Sequence, residues 1–252
     1  MLQTGVEQQG PNARVHSAWT PLARALMATG DRWTLMIVLA LAPGRTRLTQ
    51  LHRRLPGVST SVLEQHLRRL VATNLVIRTR REKSPPRVEL ELTGAGHELV
   101  AIAGTLARWG MQNRWSEPAD KERVDIAALL RMLPALLDGR SGLPEGATVE
   151  AQVAGAHMLC VVFYRVEDGH LQIVGMLESE RAMSPSGSAS TPVEGIEEMR
   201  ADLGAPSPAT VSLRGDEHAW TAALGPAGDY EHLRFDGKMR LGKQMLDRLP
   251  RQ

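Results

Sequence analysis

Apolar and polar residues run in two rhythms along this chain, and the change of rhythm divides it. From Pro21 to about residue 72 the apolar positions recur every three to four residues, as on one face of an α-helix. Pro21 suits a first helical turn, where its missing N–H costs nothing, and LARALMA continues the pattern. Gly30-Asp31 interrupts it. Asp31 is placed to cap a second helix, RWTLMIVLALA, which is apolar nearly all round and so expected near the centre of a core. Pro43-Gly44 ends that helix, and TRLTQLHRRL predicts a short third one with Leu48, Leu51 and Leu55 inward. After a Pro56-Gly57 turn, Ser59 or Thr60 can cap a fourth helix. There VSTSVLEQHLRRLV aligns Leu63, Leu67, Leu70 and Val71 on one face, with Ser61, Gln65, Arg68, Arg69 and Ala72 opposite.

The rhythm then shifts toward alternation. LVIRTRRE (75–82) and RVELELT (87–93) read as a hairpin whose tip, Lys83-Ser84-Pro85-Pro86, is basic and stiffened by proline. Thr93 is placed to cap a long helix over roughly 94–113, with Leu99, Ile102, Leu106 and Trp109 in register. A charged linker (116–124) leads to DIAALLRMLPALLDG, a helix expected to bend or end near Pro134. TVEAQVAG, MLCVVFYRV and HLQIVGML read as strands, the last two joined by a turn at Glu167-Asp168-Gly169. Residues 181–208 are rich in Ser, Pro and Gly around an acidic patch and predict loop with room for one helix. Two strand–helix units, ATVSLRG–DEHAWTAALG and EHLRFDG–KMRLGKQMLDRLP, close the chain, with Asp216 and Glu217 at a helix N-terminus.

The expected fold class is α+β. An arm (1–16) precedes a winged helix-turn-helix domain (17–115), the linker (116–124) and a second α+β domain (125–252) with a mostly antiparallel sheet. Four helices, a hairpin and a long helix describe a helix-turn-helix with a two-stranded wing. In that arrangement the second helix of the pair enters the major groove and the hairpin meets the adjacent backbone or minor groove.

Charge sharpens this. Residues 1–116 carry 16 Lys and Arg against 7 Asp and Glu, whereas residues 117–252 carry 14 against 21, so the net charge of +2 conceals a basic half and an acidic half. Only the first is suited to a polyanion, and its Arg-rich helices favour nucleic acid. A membrane-surface helix is the competing reading, but no strongly basic amphipathic helix here faces large aromatics. The 252 residues suffice for two cores, and 42% hydrophobic with 23% charged residues argues against wholesale disorder. The single cysteine, Cys160, rules out an intrachain disulfide or a cysteine-based zinc site. No apolar run approaches membrane-spanning length and the N-terminus lacks a signal-peptide pattern, so a cytoplasmic protein without a membrane partner is expected.

Candidate DNA contacts are Ser59, Thr60, Ser61, Gln65, Arg68 and Arg69 on the fourth helix, Arg45 and Arg47 at the start of the third, and Arg80, Lys83 and Arg87 in the hairpin, which also carries Arg78 and Arg81. Taken singly, each also fits a solvated surface. The turn, the hairpin and the local charge excess together favour contact, without deciding which side chain reads a base. His66 flanks this face. Trp33 opens an apolar helix and reads as core, whereas Trp109 and Trp115 suit a dimer or interdomain contact as well as packing. Met158, Cys160 and Val162 alternate with Leu159, Val161 and Phe163, so both faces of this strand are apolar. The pattern fits a buried central strand, or a ligand cavity lined by Met158, Cys160, Val162 and Trp220. The eight histidines include no i, i+4 pair, and no HExxH, GxSxG or glycine-rich phosphate loop occurs. No catalytic residue, metal ligand or cofactor is therefore expected, and the protein is not read as an enzyme.

Residues 19–110 resemble the HxlR-type winged-helix transcription regulators of bacteria. The resemblance is carried by PLARALMATGDRWTLMIVLAL (21–41), LTQLHRRLPGVSTSVLEQHLRRLVATNLV (48–76), SPPRVELELTGAGHEL (84–99) and ARWG (107–110). It implies DNA binding as a homodimer, with the terminal helices supplying much of the dimer contact. Many members carry a cysteine just before the first helix, which some use to sense oxidants. Thr20 stands there in this chain, and a hydroxyl has no thiolate chemistry. The second half resembles the sterol carrier protein-like domain (type two) fused behind some of these regulators. It does so through AALLRMLPALLDG, YRVEDGHLQI, ATVSLRGDEHAWTAALG and RFDGKMRLGKQMLDRLP. That implies an α+β layer enclosing an apolar tunnel for a hydrophobic small molecule.

The resulting expectation is a dimeric regulator that binds a pseudo-palindromic operator in double-stranded DNA, represses by default, and responds to a hydrophobic effector in its second domain. The alternative is a regulator whose second domain is an uncoupled carrier or a protein-interaction scaffold.

Overall fold

The computed structural model describes residues 20–81, 87–119, 122, 124–139, 141–155, 158–180, 196, 201 and 209–251. Helix α1 (Pro21–Thr29) begins at Thr20, whose hydroxyl accepts the Ala23 N–H at 3.1 Å. Helix α2 (Arg32–Leu41) begins at Asp31, whose carboxylate accepts the Thr34 N–H at 2.9 Å and its hydroxyl at 2.8 Å. Such caps contribute about 1 kcal/mol each. Helix α2 buries Ile37, Val38 and Leu41 but leaves Met36 exposed, so it is less enclosed than its composition predicts. Trp33 is half-buried against this core.

The third helix starts later than predicted. Thr46 and Arg47 form a short strand, β1 (Thr46–Arg47), before α3 (Leu48–Arg53), because they pair with Leu90 and Glu89 of the wing. Helix α4 (Thr60–Ala72) is capped by Ser59, whose hydroxyl accepts the Val62 N–H at 3.4 Å. Leu63, Leu67 and Leu70 are fully buried, whereas Val71, expected in the same stripe, is exposed. One residue is 100° of helical rotation, and that step carries Val71 off the edge of the face. Asn74 adopts the left-handed conformation (φ 57°) and the Leu75 N–H reaches back to the Leu70 carbonyl, closing α4 in a Schellman turn. Strands β2 (Val76–Arg81) and β3 (Arg87–Leu92) pair antiparallel, giving a three-stranded sheet of order β1-β3-β2. Helix α5 (Gly94–Asn113) follows its cap Thr93. Leu99 packs on the first core, but Ile102, Leu106 and Trp109, in register with it, are 58%, 54% and 51% exposed.

Helix α6 (Ile126–Leu137) opens the second half and runs through Pro134 instead of stopping there. Proline removes the N–H that would bond the Leu130 carbonyl four residues back. The hydroxyl of buried Tyr164 donates to that carbonyl instead, at 2.9 Å. Burial pushes the Tyr164 phenol well above its ordinary pKa, so it stays protonated and remains a donor. The second sheet has order β6-β5-β4-β7-β8, from β4 (Thr148–Ala154), β5 (Met158–Glu167), β6 (His170–Glu180), β7 (Val211–Gly215) and β8 (Arg234–Gly237). All its pairs are antiparallel except β4 with β7. The β5–β6 turn places Asp168 and Gly169 at positive φ, a two-residue hairpin turn matched to strand twist.

Helices α6, α7 (Glu217–Leu224, capped by Asp216) and α8 (Met239–Leu246) supply the helical part of the second core, which buries Cys160, Val162 and Tyr164 of β5. The alternate β5 residues Leu159, Val161 and Phe163 pack on the other face with Ile196. Both faces of this strand are therefore buried. Apart from the helical residues Ile196 and Ala201, the segment 181–208 lies outside the described residues.

The halves share a packed junction. A Cβ at Gly104 would lie 2.6 Å from the Ala135 Cβ, so glycine is what lets α5 and α6 meet so closely. Arg108 donates to the Ala135 carbonyl and pairs with Asp138 at 3.2 Å. The Trp115 indole N–H donates to the Leu224 carbonyl at 3.3 Å. Deeper in, Glu178 of β6 is held between two arginines. Arg54, at the end of α3, meets it at 2.8 Å and also donates to the Ala40 carbonyl and the Thr46 hydroxyl. Arg131 of α6 meets it at 2.7 Å. Burial lowers the Arg131 pKa, opposed by the carboxylates of Glu178 and Asp125.

Among the described residues no helix is long and apolar enough to cross a membrane, and no cluster of three or more His, Cys, Asp or Glu side chains is arranged to hold a metal ion.

Candidate nucleic-acid interface

Helix α4 presents its polar face because its apolar stripe is fully engaged. With Leu63, Leu67 and Leu70 inward, the i, i+4, i+7 set Ser61, Gln65 and Arg68 lies on the outward side, and all three are exposed. Thr60 is exposed at the first position of the helix. Ser59 is partly committed: its hydroxyl caps the helix and lies 3.2 Å from the Ser61 hydroxyl. A helix held from behind by leucines, with hydrogen-bonding side chains in front, has the chemistry needed to meet base edges.

The structure sorts the arginines. Arg69 does not share the free face of Arg68. It donates to the Met27 carbonyl and approaches Asp31 at 3.6 Å, so it braces α4 against the α1–α2 corner. His66 points the same way, 3.4 Å from Asp31. Arg45 pairs with Glu91 of the wing at 2.7 Å, tying β3 to the turn before β1. Arg47 is exposed at the N-terminus of α3, where its backbone N–H donates to the Gln50 side chain at 3.3 Å.

In the wing one sheet face changes character along its length. It is core at the paired Val76 and Leu92 and at Leu90, which lies opposite exposed Arg78, and it passes into solvent at the pair Arg80 and Val88. The hairpin thus projects a basic surface beyond the core on the strand that follows α4. Arg87 begins β3 opposite Arg81. Lys83, at the expected tip, lies outside the described residues.

The candidate ligand residues sit differently. Cys160, Val162 and Trp220 are completely buried in the second core, and the Trp220 indole donates to the Gln152 carbonyl at 2.8 Å. Met158 begins β5. Burial raises the Cys160 thiol to about 12, with Glu178 adding to the shift. Two clefts lie elsewhere. One of about 450 Å³ is lined by Gln152, Arg214, His218, His232 and Arg234, and a second of about 340 Å³ lies between the stretch after α5, α6 and α7.

Arg54 was not legible as a functional residue. It follows Arg53 at the end of a short helix, a doublet that reads as solvated, and its acidic partner is 124 positions away.

The HxlR-like helix-turn-helix family matches residues 28–118 of this chain. An HTH-type transcriptional regulator of Methanothermobacter thermautotrophicus is 31% identical over 86 residues, which cover 34% of this chain and 66% of the relative. The regulator YtfH of Escherichia coli is 30% identical over 109 residues, 43% of this chain and 86% of YtfH. A crystal structure of the HTH-type regulator YtcD shares 32% identity, covering 36% of this chain and 93% of that one, with a TM-score of 0.35.

Proposed function

The chain belongs to the HxlR-like helix-turn-helix family, and from that premise we propose that it is a transcription regulator that reads duplex DNA with α4. Ser61 and Gln65 face base edges, Arg68 reaches a guanine or a phosphate, and Arg78 and Arg80 of the wing engage the adjacent backbone, a role that the sequence also suggests for Lys83. The observation that carries this reading is the exposed Ser61–Gln65–Arg68 stripe opposite the buried leucines of α4.

The regulator acts as a homodimer on a pseudo-palindromic operator. Support comes from the apolar surface left by Leu22 and Leu26 of α1 and Ile102, Leu106 and Trp109 of α5, all exposed in the single chain. The second half follows the sterol carrier-like plan and binds a hydrophobic effector that modulates operator affinity, and repression follows from promoter occupancy alone. The packed junction through Arg54, Glu178 and Arg131 supports coupling, since an effector acts on DNA only if it favours one of two arrangements of the halves. A second reading makes this half a scaffold, favoured by the complete burial of Cys160, Val162 and Trp220.

The test is selection of duplexes from a random-sequence library by the full chain, followed by titration of the winners. Arg68→Ala weakens operator binding by about 1–3 kcal/mol, and Arg80→Ala lowers the salt dependence of binding. Failure to enrich any sequence, or unchanged affinity in both variants, sinks the reading.

A further inference from the structure

The cleft of about 340 Å³ at the junction opens where the end of α5 meets α6 and α7. Its volume is at the lower end of small-molecule sites. Trp115, Leu129 and Met132 give it apolar walls, and the indole ring is held in place by its hydrogen bond to the Leu224 carbonyl. Among the described residues its charged lining is Glu122 and Asp125 against Arg114.

Asp125 divides its two oxygens between two tasks. Oδ1 accepts the Ala128 N–H at 2.9 Å and caps α6, while Oδ2 faces Arg131 at 3.9 Å, too far for a tight pair. The carboxylate, which lines the cleft, therefore retains acceptor capacity.

We propose that this cleft binds an organic cation with an aromatic or apolar body. The body packs on Trp115, Leu129 and Met132, and the positive charge is held by the Asp125 carboxylate and by the indole face. This deepens the effector reading above and rests on it for the consequence of binding. Asp125, Arg131, Glu178 and Arg54 form one chain of charges from the cleft to the helix-turn-helix. A cation drawing on Asp125 weakens its long-range hold on Arg131 and shifts that guanidinium further onto Glu178, the same carboxylate that Arg54 uses.

The probe is benzyltrimethylammonium, with phenylmethanesulfonate as a control of similar shape and opposite charge. Both are titrated into the full chain while tryptophan emission is followed. The cation perturbs the emission saturably, and Trp115→Phe removes that signal. The sulfonate binds at least about tenfold more weakly, and Asp125→Asn weakens the cation by about tenfold while preserving the fold, because asparagine is an equally good helix cap. Equal affinity for the two ions, an unchanged affinity in Asp125→Asn, or a signal that survives Trp115→Phe overturns the assignment. Cation binding in a protein that selects no duplex sinks the regulator reading and leaves the cleft assignment standing. A selected operator with no cation binding does the reverse.

Discussion

The hydroxyl of Tyr164 donates at 2.9 Å to the Leu130 carbonyl, the acceptor that Pro134 leaves without its helical partner. A proline that would ordinarily end a helix is tolerated because a strand residue thirty-four positions beyond Leu130 satisfies the orphaned carbonyl. Tyr164→Phe strands a buried carbonyl and costs about 1–3 kcal/mol. In a Pro134→Ala background the restored N–H bonds the same carbonyl, so the phenylalanine substitution costs less. Urea denaturation of the four proteins in this cycle measures the coupling. Additive costs would show that the two residues act independently.

The clamp of Arg54 and Arg131 on Glu178 predicts cooperative unfolding. Glu178→Ala leaves two guanidinium groups, 8% and 3% exposed, facing each other without their shared carboxylate. The loss is about 3 kcal/mol, at the lower end for breaking a buried pair because Glu178 itself is 22% exposed. Calorimetry of the variant resolves two transitions in place of one. A loss no larger than about 0.5 kcal/mol, as for an exposed pair, would mean the junction carries no coupling.

Leu106 faces solvent in the single chain, so Leu106→Glu leaves the helical content intact while placing charge in the proposed dimer contact. Sedimentation velocity finds a dimer for the parent chain and weakens association by at least about tenfold in the variant. Equal sedimentation of the two proteins argues against this face as the interface.

Cys160 gives the folded state an alkaline limit. Its thiol is raised from 9.0 to about 12 by burial, so between those values the unfolded chain releases a proton that the folded chain keeps. This contribution is fully present below 9.0 and is lost as pH rises toward about 12. Comparing urea midpoints near pH 8 and near pH 10.5, Cys160→Ala declines less than the parent. At neutral pH the native protein resists thiol reagents that label it once unfolded. Rapid labelling of the folded protein would contradict the burial.

Much of the fold is written locally. The caps at Asp31, Ser59 and Thr93, the three leucines behind α4 and the Asp168-Gly169 turn are short-range devices, and a periodic pattern exposes them. What was not legible depends on distant partners. Strand β1 exists because β3 lies beside it, and two residues are too short to show a strand pattern of their own. Arg69 sits in the polar row with Arg68, and only the position of Asp31 and Met27 separates a bracing arginine from a free one. The row of Leu99, Ile102, Leu106 and Trp109 has the period of a core face, yet only Leu99 meets this chain's core. Periodicity reports that a face is apolar, not whose surface covers it.

Helix α5 meets α6 through Gly104 and Arg108 and shows Ile102, Leu106 and Trp109 on its uncovered side. A helix with its side chains is about 10 Å thick. If that uncovered side meets a second copy, each chain's second half stands one helix away from its neighbour. A tilt of α5 set by α6 would then shift the distance between two reading heads in a single rigid movement, as the handle of a pair of tongs sets the gap at its tips.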